Sequence, residues 1–241
     1  MEPLLGRADE PFMVGGLTRF NAVGDSIQRL DIELGPKEKV YAEGGHLIYK
    51  SQTVRLTASA KGGLLSGLKR ALTGATFFVL ELEGPGSASL AGFAPGKIVE
   101  IELSQNDEVL AEYRSFLAAE ESVSYDASLT GLGFGWLGGE GLLMAKFRGP
   151  GRLFLHTSGD AVMLSLGPGE SVDAEAGHVL AFDSSVKVSV GRVGGFKTML
   201  FGEEGLWFAR ATGPGRIWLR TLSRQQIIMG LMPDIAKVVR A

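Results

Sequence analysis

Leu82-Glu83-Gly84-Pro85-Gly86-Ser87, Phe147-Arg148-Gly149-Pro150-Gly151-Arg152 and Ala211-Thr212-Gly213-Pro214-Gly215-Arg216 are three versions of one phrase, and their reading decides the fold. The Gly-Pro-Gly triplets lie 65 and 64 residues apart, a spacing too regular for unrelated turns, so the chain is read first as an internal repeat. Each triplet follows an apolar run (Thr76 to Leu82, Leu142 to Phe147, Leu206 to Ala211) and precedes a short run ending at Leu90, Leu155 or Leu219. Proline pre-sets φ for a turn and glycine accepts positive φ. Each triplet is therefore expected to be a structural turn joining two strands as a hairpin.

A second landmark keeps the same order: Glu43-Gly44-Gly45-His46-Leu47-Ile48, Glu112-Tyr113-Arg114-Ser115-Phe116-Leu117 and Glu175-Ala176-Gly177-His178-Val179-Leu180. Between the landmarks the apolar residues alternate. Leu30, Ile32 and Leu34 skip over Asp31 and Glu33; Val99, Ile101 and Leu103 skip over Glu100 and Glu102; Val186, Val188 and Val190 alternate likewise, and Ile217 and Leu219 flank Trp218. Period two marks strands with one buried face, so the fold class expected is all-β. The landmarks divide the chain at approximately 25–104, 105–167 and 168–223, with 224–241 as a C-terminal helix and tail. A unit of this length buries only about 60% of its unfolded surface, so three should pack into one compact body.

Two short helical segments are expected, near 64–72, where Lys69 and Arg70 interrupt an apolar pattern, and near 224–231. In the second, Ser223 and Gln226 have capping-box spacing before Ile227, Ile228 and Leu231, and Pro233 is read as the stop.

Composition narrows the function classes. The chain is 45% apolar and 21% charged, ordinary globular material, and its 35 glycines are dispersed between apolar runs as turns rather than as low complexity. A formal net charge of −3 gives no general attraction to phosphate backbones, so DNA is not an expected partner and RNA is the less favoured cargo. The best basic cluster is Lys61, Lys69 and Arg70, which at most supplements contact with an anionic surface. With no cysteine there are no disulfides, thiolate metal sites or thiol nucleophiles, and a reducing compartment, the cytoplasm, is expected. The start Met1-Glu2-Pro3-Leu4-Leu5 shows no basic residue followed by an apolar core, so no signal peptide is expected. The longest charge-free apolar stretch, between Asp126 and Glu140, is too short to span a bilayer as a helix.

Several patterns suggest chemistry and fail on context. Gly133-Phe134-Gly135-Trp136-Leu137-Gly138 satisfies G-x-G-x-x-G, but the adjoining Gly139-Glu140-Gly141-Leu142-Leu143 aligns with strand starts rather than a helix, so an interstrand loop is expected. Gly96-Lys97 lacks the Ser or Thr of a phosphate-binding loop, and Gly92 is one residue too close. His46, His156 and His178 are single imidazoles in separate units, whereas a metal needs several ligands converging, so no metal or other cofactor is expected. Ser66, Ser158 and Ser165 lack a nucleophile elbow, and Glu100 and Glu102 have the spacing of a solvated strand face. No catalytic residue is assigned, and an enzyme is not expected. The segments Leu129 to Leu143 and Val193 to Trp207 mix glycine with Phe134, Trp136, Leu137, Phe196, Met199, Leu200 and Phe201. These are candidate contacts for another subunit or a membrane surface, with packing between units as the plain alternative.

The triplet pattern, the segment Gly62-Gly63-Leu64-Leu65-Ser66-Gly67-Leu68-Lys69-Arg70-Ala71-Leu72-Thr73-Gly74, and the ending Gly213-Pro214-Gly215-Arg216-Ile217-Trp218-Leu219 followed by Ser223 together resemble a known family. Over roughly Leu30 to Leu231 the chain is similar to prokaryotic members of the mitochondrial-biogenesis family called altered inheritance of mitochondria, number twenty-four. The resemblance implies three tandem modules like the trp RNA-binding attenuation protein (TRAP-like), each a shortened double-stranded β-helix. It also implies a homotrimer closed into a ring of nine modules. It supplies no catalytic residue to carry over, and a fold does not fix a function. The expected function is a non-catalytic oligomeric scaffold or interaction protein, with an unidentified protein partner or a place on a membrane surface. The alternative is a ring that holds a small-molecule ligand in clefts between its β modules.

Overall fold

A computed structural model describes residues 18–58, 79–132, 142–192 and 207–239. Its alternating segments form nineteen strands, and the same order of elements occurs three times. After an initial strand β1 (Arg19–Val23), the first unit runs β2 (Arg29–Leu34), β3 (Lys39–Glu43), a 3-10 turn (Gly44–His46), β4 (Leu47–Lys50), β5 (Arg55–Ala58), β6 (Val79–Glu83) and β7 (Gly86–Ala91). The second runs β8 (Gly96–Leu103), β9 (Glu108–Glu112), a 3-10 turn (Tyr113–Ser115), β10 (Phe116–Glu120), β11 (Ser124–Leu132), β12 (Leu142–Arg148) and β13 (Gly151–Ser158). The third runs β14 (Ala161–Leu166), β15 (Ser171–Glu175), a 3-10 turn (Ala176–His178), β16 (Val179–Asp183), β17 (Lys187–Arg192), β18 (Trp207–Thr212) and β19 (Gly215–Arg220), and helix α1 (Arg224–Val239) ends the series. The fold class read from the alternation is all-β, and the structure agrees.

Every ladder between these strands is antiparallel, and the pairing rule repeats. The first, sixth and third strands of a unit form one sheet, and the second, fifth and fourth form another. The sheets do not stop at unit boundaries. β3 pairs with β10 and β9 with β16, giving sheets ordered β1-β2-β7-β4, β5-β6-β3-β10-β13-β8, β11-β12-β9-β16-β19-β14 and β15-β18-β17. Each six-stranded sheet is thus shared between two successive units.

The Gly-Pro-Gly triplets join strands as expected but do not make hairpins. β6 and β7 lie in different sheets, as do β12 and β13, and β18 and β19, so each triplet is a corner that carries the chain across the core. The Gly-Pro bonds are cis at all three positions. Gly86, Gly151 and Gly215 sit at φ of +142°, +129° and +139°, where side chains are strained, and a Cβ on any of them would come within 3 Å of Ser51, Ser122 or Ser185, respectively. Conformation and space both demand glycine there.

Burial follows the alternation. Leu30, Ile32 and Leu34 are fully buried while Arg29 and Glu33 are exposed. β13 departs from it: Leu153 and Leu155 join one core cluster and Phe154 another, so both faces of this central strand are covered. Phe154 stacks on Phe20 of β1, with ring centroids 4.4 Å apart.

The capping box at the last helix forms as expected: the Ser223 hydroxyl accepts from the Gln226 backbone N–H at 3.2 Å, and the Gln226 side chain accepts from the Ser223 N–H at 2.9 Å. The helix does not stop at Pro233 but runs to Val239. Proline's fixed φ is compatible with a helix, and its cost is the hydrogen bond its nitrogen cannot give. The helical reading near 64–72 lies outside the described residues.

Candidate functional site: unit junctions and open edges

The repeated glutamates Glu43, Glu112 and Glu175 have a local task. Each ends a strand, and its carboxylate accepts the second backbone N–H of the adjoining 3-10 turn, from Gly45 at 2.7 Å, Arg114 at 3.3 Å and Gly177 at 3.1 Å. In units two and three the turn then launches the strand that pairs with the preceding unit.

Over two of these turns reaches a side chain from the next unit, six residues along its last strand. Arg220, nearly buried, donates from Nη2 to the Ser115 hydroxyl at 3.1 Å, the Val179 carbonyl at 3.3 Å and Glu112 at 3.4 Å, tying units two and three together. His156 holds the equivalent position in unit two and is 2% exposed. Its Nε2 lies 2.9 Å from the Ala94 carbonyl, which can only accept, so this nitrogen carries the proton. Its Nδ1 has no hydrogen-bond partner among the described residues. Burial pushes the imidazole down to about 4, so the ring is neutral at physiological pH. Gly92 packs so closely on it that a Cβ there would enter the ring.

The other two histidines are local. His46 Nδ1 is 3.6 Å from Glu43, and His178 bridges the Arg220 carbonyl at 2.7 Å and Glu175 at 3.1 Å. Among the described residues no three His, Asp or Glu side chains are grouped to hold a metal ion. Glu100 and Glu102 lie on β8 and are both exposed, as a solvated face requires. Lys97 lies 3.4 Å from Asp160, and Ser165 is exposed beside Met163. Ser158 is buried. The G-x-G-x-x-G stretch links β11 and β12, which pair antiparallel, and not a strand to a helix. That stretch itself, Ser66, the Lys61, Lys69 and Arg70 cluster, and Phe134, Trp136, Leu137, Phe196, Met199, Leu200 and Phe201 lie outside the described residues.

The feature that sequence reading missed is a pair of open edges. The third strand of units two and three pairs with the second strand of the unit before, through Ala118↔Ala42 with Ala119↔Tyr41, and Ala181↔Ala111 with Phe182↔Leu110. In unit one the third strand, β4, pairs only with β7, and in unit three the second strand, β15, pairs only with β18, among the described residues. Ile48 and Tyr49 on β4 are 55% and 51% exposed, whereas their equivalents Leu117, Leu180, Ala118 and Ala181 are fully buried. Ile48, Leu117 and Leu180 are all apolar, so nothing in the sequence sets Ile48 apart; only its place in the first unit does.

A cysteine-free all-β protein of three like units, with edge strands left open in the first and third among the described residues, is the class these features define. The family model for mitochondrial biogenesis AIM24 matches residues 20–222, and the chain belongs to that family. Among solved structures it is similar to protein SPYM3_0169 from Streptococcus pyogenes, at 24% identity and a TM-score of 0.73, over 90% of this chain and 100% of that one. This likeness shows the fold. No curated protein matches the chain.

Proposed function

We propose that this chain is a subunit of a closed homo-oligomeric ring that works as a non-catalytic scaffold or interaction protein, in the cytoplasm that its lack of cysteine favours. The observation that supports it is the pair of open edges. β4 of one copy fits β15 of another in the register already used twice within the chain. By equivalence Tyr49 faces Ala174 and Lys50 faces Asp173 of the next copy, so an opposite-charge pair stands where the internal junctions have Ala119↔Tyr41 and Phe182↔Leu110. Edges that differ from one another make a head-to-tail contact, and such a contact closes into a ring when the rotation per copy permits. Three copies, with three TRAP-like units each, make the ring expected from the family resemblance.

Native mass spectrometry should give three times the 25.6 kDa chain mass. Lys50→Asp should lower that mass and Asp173→Lys added to it should restore it. A wild-type chain that stays monomeric across a wide concentration range would sink the proposal.

A further inference from the structure

Directly opposite residues of two antiparallel strands share one face of a sheet, and where the third strand of a unit lies beside its last strand one such pair recurs at the same step of the ladder. It is Ala118↔Phe154 in unit two, Ala181↔Trp218 in unit three and Tyr49↔Ser89 in unit one. The register shifts immediately before this pair in all three ladders, so the pairs are equivalent. In units two and three an aromatic side chain on the last strand stands opposite alanine. In unit one the sizes are exchanged: the aromatic side chain is on the third strand, and the residue opposite is serine.

The face that carries these pairs looks into the unit before. Ala118 and Phe154 belong to the core cluster of Ile32 and Val40 in unit one, and Ala181 and Trp218 to that of Ile101 and Val109 in unit two. Each internal junction is thus closed by one aromatic side chain from the later unit. Tyr49 has no earlier unit in its own chain, and it is 51% exposed. Unit three, for its part, takes no aromatic side chain from a later unit among the described residues, and its core shows the lack. Val162 is 45% exposed and Leu164 and Val172 are only partly buried, whereas their equivalents in unit one, Leu30, Ile32 and Val40, are fully buried.

We propose that Tyr49 is the anchor of the contact between copies, its phenol entering the core of unit three in another copy of this chain as Phe154 and Trp218 enter units one and two. This role rests on the closed-oligomer reading above and adds the residue that sets the contact between copies apart from the junctions within a chain. The occupant is a second copy because the chain carries both halves of the missing junction: an exposed aromatic side chain on β4 and an under-filled core beside β15. The exchange of sizes supplies the selectivity. An aromatic side chain on the third strand needs a small neighbour on the last, and Ser89, fully buried with its hydroxyl donating to Asp31 at 2.7 Å, is that neighbour. Aromatic residues on both strands would overfill the site, and small residues on both would leave a void. An aromatic anchor seated in a pocket carries a large share of the energy of such an interface.

Native mass spectrometry of the full-length protein on serial dilution tests it. For Tyr49→Ala the concentration at which the oligomer dissociates should rise by about thirtyfold or more, the loss that truncating an interface aromatic brings. Tyr49→Phe keeps the aromatic group and should stay within about fivefold of the wild type. Urea unfolding of the dissociated chains should be the same for all three, since Tyr49 is half exposed in the single chain. A wild-type chain that is monomeric throughout removes the closed oligomer, and this contact with it. A wild-type oligomer that Tyr49→Ala leaves equally resistant to dilution keeps the oligomer and overturns the role of Tyr49 alone. So does Tyr49→Phe dissociating as readily as Tyr49→Ala, which would assign the effect to the hydroxyl, or a lower urea midpoint for Tyr49→Ala, which would place the phenol within its own chain.

Discussion

The junction between units one and two and the free edge of unit one present equivalent strands, β10 and β4, yet one is interior and the other is surface. At the junction β10 lies against β3 with Leu117 and Ala118 fully buried; at the free edge β4 presents Ile48 and Tyr49 to solvent. Ile48 is as apolar as Leu117, so the burial of each is set by whether a second strand arrives beside it. The two internal junctions differ in turn, one sealed by a neutral imidazole at His156 and the other by the guanidinium of Arg220.

The comparison breaks most visibly at the buried strand. Leu117→Ala should cost about 2–5 kcal/mol in urea unfolding, whereas Ile48→Ala in dissociated chains should change stability by no more than about 0.5 kcal/mol. Ile48→Ala should instead weaken assembly, read as a mass shift on dilution. Equal stability losses at the two sites would mean that β4 is covered within a single chain.

Next in size is a difference in acid response between the junctions. His156 titrates at about 4 when folded, against about 6.5 for a free histidine, so between those values the unfolded chain binds more protons. Its contribution is therefore complete above pH 6.5, shrinks as pH falls and is lost below 4, by up to about 3 kcal/mol. Urea midpoints measured across this window should fall with pH, and His156→Gln should flatten that part of the profile. The equivalent position at the other junction holds Arg220 rather than an imidazole.

The smallest effect concerns the turn glutamates. Glu43→Ala removes a single turn acceptor and should cost about 1 kcal/mol. Glu112→Ala should cost about 2 kcal/mol, because its carboxylate also receives the Ser115 hydroxyl and lies 3.4 Å from Arg220. Thermal unfolding of the two variants side by side sharpens the distinction, and equal shifts would show that Arg220 draws little from Glu112.

What the sequence makes legible is local. Alternation at Leu30, Ile32 and Leu34 reports strand and buried face, and Ser223 with Gln226 reports a helix start whose reciprocal bonds form. Partner choice is not legible, because period two reports which face is buried and says nothing of which strand lies alongside. Hence the Gly-Pro-Gly triplets read as hairpins although they are corners between sheets. The helix end expected at Pro233 fails for a related reason, since proline is a strong signal at a helix boundary and yet tolerable within a helix.

Because each six-stranded sheet takes strands from two successive units, no unit owns a finished wall. A unit resembles a tile whose tongue fits the groove of the next. Adding or deleting one would leave the same tongue at one terminus and the same groove at the other. In the proposed ring, chain length and copy number can therefore trade against each other, with gene duplication free to lengthen the chain while the edge-to-edge contact keeps its form.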